Sequence, residues 1–144
     1  MAKITIYKNG KLALLSGFSK DYEKSKKDTG AYSIIDLMIK LLEDKPNLQN
    51  KVLQEQDFVL NKEEKDIIAK KMEEYIDKDL HNFKEADETE VYKNIIYKNK
   101  TYKAPFKRSY LSLERKLMLA ISLYNKFNDP ENSNVIEFRF NEGK

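Results

Sequence analysis

The single histidine of the chain lies between two carboxylates at helical spacing. Asp77, His81 and Glu85 are each four residues apart, so on a helix their side chains would share one face. An imidazole and two carboxylates on one face can hold a divalent metal ion. A helix that ends near His81 would instead leave three ordinary polar residues in a connector, and we favour that interpretation. No metal site and no cofactor is predicted.

The residue types give little support for catalysis. The chain has no cysteine and no glycine-rich turn beside its one histidine, which argues against Ser–His and Cys–His pairs. Glu137-Phe138-Arg139 has the acid-x-base order found in strands of metal-dependent nucleases, and Asp57 is the one upstream acidic candidate. The solvent face of an alternating strand explains the same residues. The sequence therefore predicts a protein that is not an enzyme.

The stretch 91–110 mixes basic and aromatic residues and contains no acid. Cations follow phosphates and aromatic rings stack on bases, so this mixture on a hairpin would suit single-stranded nucleic acid or RNA. A plain strand pair would also be rich in tyrosine, with lysine protecting its edges. Within this stretch only Lys107 and Arg108 are neighbouring basic residues, which is few for a surface that follows a phosphate backbone. Nucleic-acid binding is therefore the alternative function and not the first. The candidate contact residues are Tyr97, Lys98, Lys100, Tyr102, Lys103 and Arg108.

The stretch 62–79 is rich in acidic residues at helical spacing. Such a helix could imitate phosphate spacing and occupy the channel of a nucleic-acid-binding protein. Lysines are interspersed along the same stretch, so a solvent-facing helix with i,i+4 ion pairs explains the pattern equally well. The candidate contact residues here are Glu63, Glu64, Glu73, Glu74 and Asp77.

Charge is divided along the 144 residues of the chain, whose formal net charge is +3. Residues 36–90 carry a net charge of −7, whereas residues 1–35 and 91–144 carry +4 and +6. Such a division indicates a charged partner. The lack of cysteine agrees with a reducing compartment, and no apolar run approaches the roughly 20 residues of a membrane span. We expect a cytoplasmic protein that does not enter a membrane, and the oligomeric state stays open.

The hydrophobic pattern predicts the strands that would position these residues. Alternation around Asn9-Gly10 predicts a first hairpin, and alternation around residues 98–100 predicts a second. Residues 135–141 alternate as a half-buried C-terminal strand. Residues 58–60 are interpreted as a short apolar link.

The helical periodicity predicts three helices between the hairpins and a fourth over residues 112–127. Asn61 followed by Glu64 predicts a capping box at the start of the third. The fourth is apolar on two sides and begins with Ser112 as its N-cap, so it is expected to be the central buried helix. The predicted fold class is α+β, with one antiparallel sheet of two hairpins plus the C-terminal strand, covered by about four helices. Residues 1–144 are expected to form a single domain.

These observations predict a non-enzymatic protein that binds another macromolecule. We expect a small inhibitor or adaptor that makes charged contacts with a protein partner, and a nucleic-acid-binding protein is one candidate for that partner. Size and composition are typical of the small genes that phages and mobile elements direct against host nucleases or defence complexes. The alternative is direct nucleic-acid binding by the hairpin within residues 91–110.

Overall fold

The structure, a computed structural model, combines helices with antiparallel sheets. It describes residues 3–8, 11–17, 34–105, 107–108, 112–129 and 135–141. The strands are β1 (Lys3–Lys8), β2 (Lys11–Gly17), β3 (Phe58–Leu60), β4 (Tyr92–Tyr97), β5 (Lys100–Pro105) and β6 (Ile136–Asn141). The helices are α1 (Ile34–Leu41), α2 (Pro46–Leu53), α3 (Lys62–Asp79) and α4 (Leu113–Phe127), and a 3-10 turn follows α3 at Leu80–Asn82. The predicted α+β class with about four helices is confirmed.

The larger sheet has four antiparallel strands in the order β2-β1-β6-β3. The first two form the predicted hairpin, with Lys8 opposite Lys11, while its expected turn residues Asn9-Gly10 lie outside the described residues. The prediction of a mere link at residues 58–60 is wrong, because this segment pairs with β6 as an edge strand. Its strand character follows from burial, since Phe58 and Leu60 face the core and Val59 faces solvent.

The core lies between this sheet and the helices, and its centre is aromatic. Phe138 on β6 stacks on Phe58 with ring centroids 4.7 Å apart and meets the edge of Phe127 at 6.4 Å. Offset and edge-on arrangements of this kind are the favoured geometries for aromatic pairs. Phe127 is the last residue of α4, so the helix and the sheet share one core.

Helix α4 is the predicted central helix, and its start and burial are confirmed. The Ser112 hydroxyl accepts a hydrogen bond from the Arg115 backbone N–H at 3.3 Å, which satisfies one of the free donors at the helix start. The buried apolar residues of the helix are Leu117, Ala120, Ile121, Leu123 and Phe127.

The second hairpin, β4–β5, forms a two-stranded sheet of its own, whereas the sequence predicted that it would join the first. The reason is that β3 occupies the edge beside β6, and the hairpin packs on α4 instead. Its turn residues Lys98 and Asn99 have φ values of 49° and 68°. Positive φ at both positions is the type I′ geometry whose twist matches a two-residue hairpin.

Helix α3 begins with the predicted capping box. The Asn61 side chain accepts from the Glu64 backbone N–H, and the Glu64 side chain accepts from the Asn61 backbone N–H. Two donors that the helix start would otherwise leave free are thereby satisfied. Within the described ranges, no helix is both long and apolar enough to cross a membrane.

Candidate interaction surface

The turn of the β4–β5 hairpin is fixed to helix α3 by a network of side chains. The Tyr97 hydroxyl donates to Asp77 Oδ1 at 2.7 Å. Lys98 Nζ lies 3.2 Å from Asp77 Oδ2 and 2.9 Å from Glu73 Oε1. The Tyr124 hydroxyl of α4 donates to Glu73 Oε2 at 2.8 Å, and the two tyrosine rings meet edge to face at 5.3 Å. The hairpin, α3 and α4 are therefore joined at one point.

The contacts in this network shift the pKa values of its side chains. The hydrogen bond from Lys98, followed by that from Tyr124, lowers the pKa of Glu73 below its usual 4.5. The same contact with Glu73 raises the pKa of Lys98. Burial, reinforced by the hydrogen bond to Asp77, raises the pKa of Tyr97. Lys98 has a positive φ of 49°, at which its Cβ lies close to the following carbonyl oxygen, and its two ion pairs join this turn to α3.

The lowered pKa of Glu73 predicts a pH-dependent contribution to stability. The contribution is complete above pH 4.5, the usual pKa of glutamate, and disappears as pH falls through the lower pKa of the folded state. Glu73→Gln should therefore flatten the acid limb of the stability curve, and Tyr124→Phe should flatten it in part. Urea unfolding between about pH 3 and pH 7 measures both effects. An acid limb that is identical in wild type and Glu73→Gln would contradict this expectation.

Arg108 closes the other end of the hairpin. Its guanidinium contacts Glu90 through two hydrogen bonds of 2.7 and 2.6 Å, Glu114 at 3.1 Å and the Lys84 carbonyl oxygen at 3.0 Å. Contact with Glu90 raises the pKa of Arg108, and the reciprocal contact lowers the pKa of Glu90. Glu114 is buried and also accepts from the Lys84 N–H at 3.1 Å. Arg108 thus fixes residues 84–90 to the start of α4.

The structure therefore brings many of the predicted contact residues together inside the molecule. The acidic helix and the basic hairpin meet at Lys98 and neutralise each other there, whereas the sequence predicted two separate charged faces. Within the described residues, several predicted contact residues already have intramolecular roles: Glu64, Glu73, Asp77, Tyr97, Lys98 and Arg108. The remainder lie exposed or half-buried: Glu63, Glu74, Lys100, Tyr102 and Lys103. Their contact with a partner stays a prediction.

The outer face of the β4–β5 hairpin carries exposed side chains, of which Lys103 alone is among the predicted contact residues. Cross-strand pairing places Tyr92 opposite Pro105, Asn94 opposite Lys103, and Ile96 opposite Thr101. Because side chains alternate along a strand, these residues share one face and Tyr97 lies on the other. Ile96 is 57% exposed and Tyr92 is 44% exposed. We call Tyr92, Asn94, Ile96, Thr101 and Lys103 the outer face.

One lysine on each face of the hairpin lies over an aromatic ring. Lys103 Nζ lies 5.4 Å from the centre of the Tyr92 ring, and Lys100 Nζ lies 5.1 Å from that of Tyr102. The Tyr102 ring packs edge-on against Phe83 at 5.8 Å, on the inner side of the hairpin. In the part of the chain that the structure describes, no ion pair joins an acid to the exposed lysines Lys93, Lys100, Lys103 and Lys107.

The residues considered for metal chemistry have other contacts. Asp77 holds the hairpin turn, as described above, and Glu85 accepts from the Lys103 N–H at 2.8 Å. Glu137 binds the Arg139 guanidinium at 2.9 and 3.0 Å, and Asp57 accepts from the Phe140 N–H. Among the described residues, no group of three or more potential metal ligands is present.

A second concave region lies between the end of α1 and the middle of α3, with a volume of about 380 Å³. Its charges are mixed and partly paired: Lys71 contacts Asp44, and Lys40 lies over the Tyr75 ring at 5.4 Å. The hydrogen bond from Lys71 lowers the pKa of Asp44. The cleft lining has four carboxylates and three lysines, a net charge of only −1, so it offers no strongly charged surface to a partner.

Comparison of the chain with protein-family models, with curated proteins and with solved structures finds no match. Function is therefore inferred from the residues of this chain.

Proposed function

We propose that this chain is a non-enzymatic binding protein that docks the outer face of its β4–β5 hairpin on an acidic protein partner. It acts as a small inhibitor or adaptor by covering a surface of that partner. The observation that carries the proposal is the exposure of Ile96 and Tyr92 on a sheet face that also carries Lys103, with the exposed Lys93 and Lys100 on the same two strands. The mobile-element origin expected from composition stays a prediction.

The exposed apolar residues supply the centre of an interface. Tyr92 and Ile96 lie on the same face of β4 with Asn94 between them, and Val91, which is 47% exposed, precedes the strand. Protein interfaces combine an apolar, aromatic-rich centre with a polar rim, and a few central residues provide most of the binding energy. The lysines of the rim have no acidic partner among the described residues, which favours an acidic surface opposite them.

The side chains of the outer face favour a protein over a nucleic acid. An isoleucine such as Ile96 neither stacks on a base nor contacts a phosphate, but it fills an apolar pocket. The Tyr102 ring packs against Phe83 on the inner side of the hairpin. Tyr92 is therefore the one aromatic ring that the described part of the hairpin exposes on the outer face. Arg108 is bound to Glu90 and Glu114 and is not directed to a ligand.

Direct nucleic-acid binding is the second candidate, and one contact favours it. The Lys103 ammonium lies over the exposed Tyr92 ring, which places a cation for phosphate beside a ring for stacking. A gel-shift assay with short single and double strands at two salt concentrations tests it. A shift that is lost at higher salt would favour this candidate, and the absence of any shift would favour the protein partner.

Reversal of the hairpin charges tests the main proposal. Changing Lys93, Lys100 and Lys103 together to glutamate should abolish capture of the partner from a lysate of the source organism. The matched control changes the α3 lysines Lys62, Lys70 and Lys78 to glutamate, which alters net charge equally, and it should retain capture. Nuclease-treated lysate distinguishes a protein from a nucleic-acid partner.

The captured protein must then bind the purified chain directly. We expect the affinity to fall as salt is raised, because the rim contacts are exposed ion pairs. Equal capture by both triple variants, or capture that disappears after nuclease treatment, would contradict the proposal.

A further inference from the structure

The two outer edges of the β4–β5 hairpin differ in whether their outward backbone N–H and C=O groups have hydrogen-bond partners. In a hairpin with a two-residue turn, the pair beside the turn exchanges both backbone hydrogen bonds, and every second pair does the same. The bonded pairs are therefore those of Tyr97, Ile95 and Lys93 with their partners on β5. The N–H and C=O groups of Tyr92, Asn94 and Ile96 point away from β5.

The outer edge of β5 is closed by the chain itself. The Lys103 N–H donates to Glu85 Oε1 at 2.8 Å, and the Lys103 carbonyl oxygen accepts from the Ala86 N–H at 2.9 Å. Pro105 stands where the next N–H would point outward, which is a position that tolerates proline. Residues 84–90 that close this edge are held in place by Arg108.

The outer edge of β4 is closed at one end only. The Asn125 side chain of α4 donates to the Ile96 carbonyl oxygen at 2.7 Å. Beside it lies a polar groove of about 450 Å³ whose lining includes Asn99, Asn125 and Asn128. Among the described residues, no strand other than β5 pairs with β4, and Asn94 is exposed. The edge from Tyr92 to Asn94 thus presents backbone donors and acceptors to solvent.

An open strand edge is a template for a further strand. We propose that β4 accepts an extended segment of the partner as an added strand, whose side chains alternate between apolar and acidic. This inference rests on the proposed function and specifies how the partner binds. Backbone hydrogen bonds supply affinity in this mode, and alternate side chains supply specificity.

The side chains of β4 define the alternation. Residues of the added strand on the outer face would lie beside Tyr92 and Ile96, which favour apolar neighbours. Residues on the other face would lie beside Lys93, which is exposed and has no acidic partner among the described residues, so an acidic neighbour is favoured. The added strand would end at Asn125, because the Ile96 carbonyl is already occupied there.

A peptide of about eight alternating valine and glutamate residues, the usual length of a strand, is a suitable probe. Its binding to the full chain is measured by fluorescence anisotropy. Asn94→Pro removes an outward N–H from the open edge. Lys62→Pro is the control outside the hairpin, because Lys62 is the first residue of α3, a position that tolerates proline. We expect Asn94→Pro to weaken binding by about tenfold or more, and Lys62→Pro to leave it within about twofold.

Two further readouts keep the test decisive. Peptide binding should slow hydrogen exchange of the Asn94 amide in wild type, which a contact with side chains alone would not do. If Asn94→Pro disturbs the fold, a peptide N-methylated at alternate residues serves instead, because it lacks the N–H donors that would bond to β4. It should bind at least about tenfold more weakly than the unmodified peptide.

Failure of this inference is distinguishable from failure of the proposed function. Equal binding by wild type, Asn94→Pro and Lys62→Pro, or no binding of the peptide at all, would overturn strand addition. The charge-reversal capture experiment would still decide whether the outer face binds a protein.

Discussion

Replacing Tyr97 by alanine should lower the free energy of unfolding by about 3–5 kcal/mol, the usual range for truncating a buried aromatic residue. Tyr97 is 2% exposed, contacts Tyr124 edge to face and donates to Asp77. It is the residue through which the hairpin enters the core. Denaturant unfolding monitored by circular dichroism measures the change.

Tyr97→Phe separates the hydrogen bond of this residue from its packing. Phenylalanine keeps the ring in the core and loses only the hydroxyl bond to the partly exposed Asp77, so we expect a loss of about 1 kcal/mol. The variant should keep the hairpin in place and bind the partner normally. If Tyr97→Ala were no more destabilising than Tyr97→Phe, the hairpin would not be anchored as the structure indicates.

Removing the apolar centre of the outer face should have the largest effect on binding. We expect Tyr92→Ala and Ile96→Ala each to cost about 2 kcal/mol of binding free energy, or roughly 30-fold in Kd. Both side chains are exposed in the free chain, so the free energy of unfolding should change by only about 0.5 kcal/mol. Calorimetric titration of the captured partner measures the first quantity, and thermal unfolding measures the second.

The chain offers matched controls for these two variants. Leu53 at the end of α2 and Val59 on β3 are 50% and 52% exposed, so they resemble Ile96 in chemistry and exposure. Leu53→Ala and Val59→Ala should leave the affinity within about twofold of wild type. Similar losses in all four variants would indicate a general effect of exposed apolar surface and no specific interface.

Much of the fold follows from local sequence signals. Ser112 and the two apolar stripes after it were sufficient to predict α4, and Asn61 with Glu64 predicted the start of α3. These predictions succeed because caps and helical periodicity act within a few residues. The strand at residues 58–60 was not predictable in this way, since a three-residue apolar segment becomes a strand only when β6 lies beside it.

The proposed interaction surface was predictable only in part. On β4, Tyr92 and Ile96 alternate with Ile95 and Tyr97, so each face carries one tyrosine and one isoleucine. Sequence periodicity cannot decide which of two such similar faces is buried. The contact of Asp77 with Tyr97 decides it, and this contact joins residues 20 positions apart in sequence. Long-range pairing of the same kind gives Lys98 and Arg108 their intramolecular ion pairs.

The most direct test of the central claim is photo-crosslinking from position 96. A benzophenone amino acid in place of Ile96, at the middle of the outer face, should form an adduct with the acidic partner in lysate. The same amino acid in place of Leu53 should form none. Mass spectrometry of the adduct should place the crosslink on an acidic segment of a protein. An adduct that forms equally from both positions, or only from position 53, would contradict the claim that the β4–β5 hairpin is the binding surface.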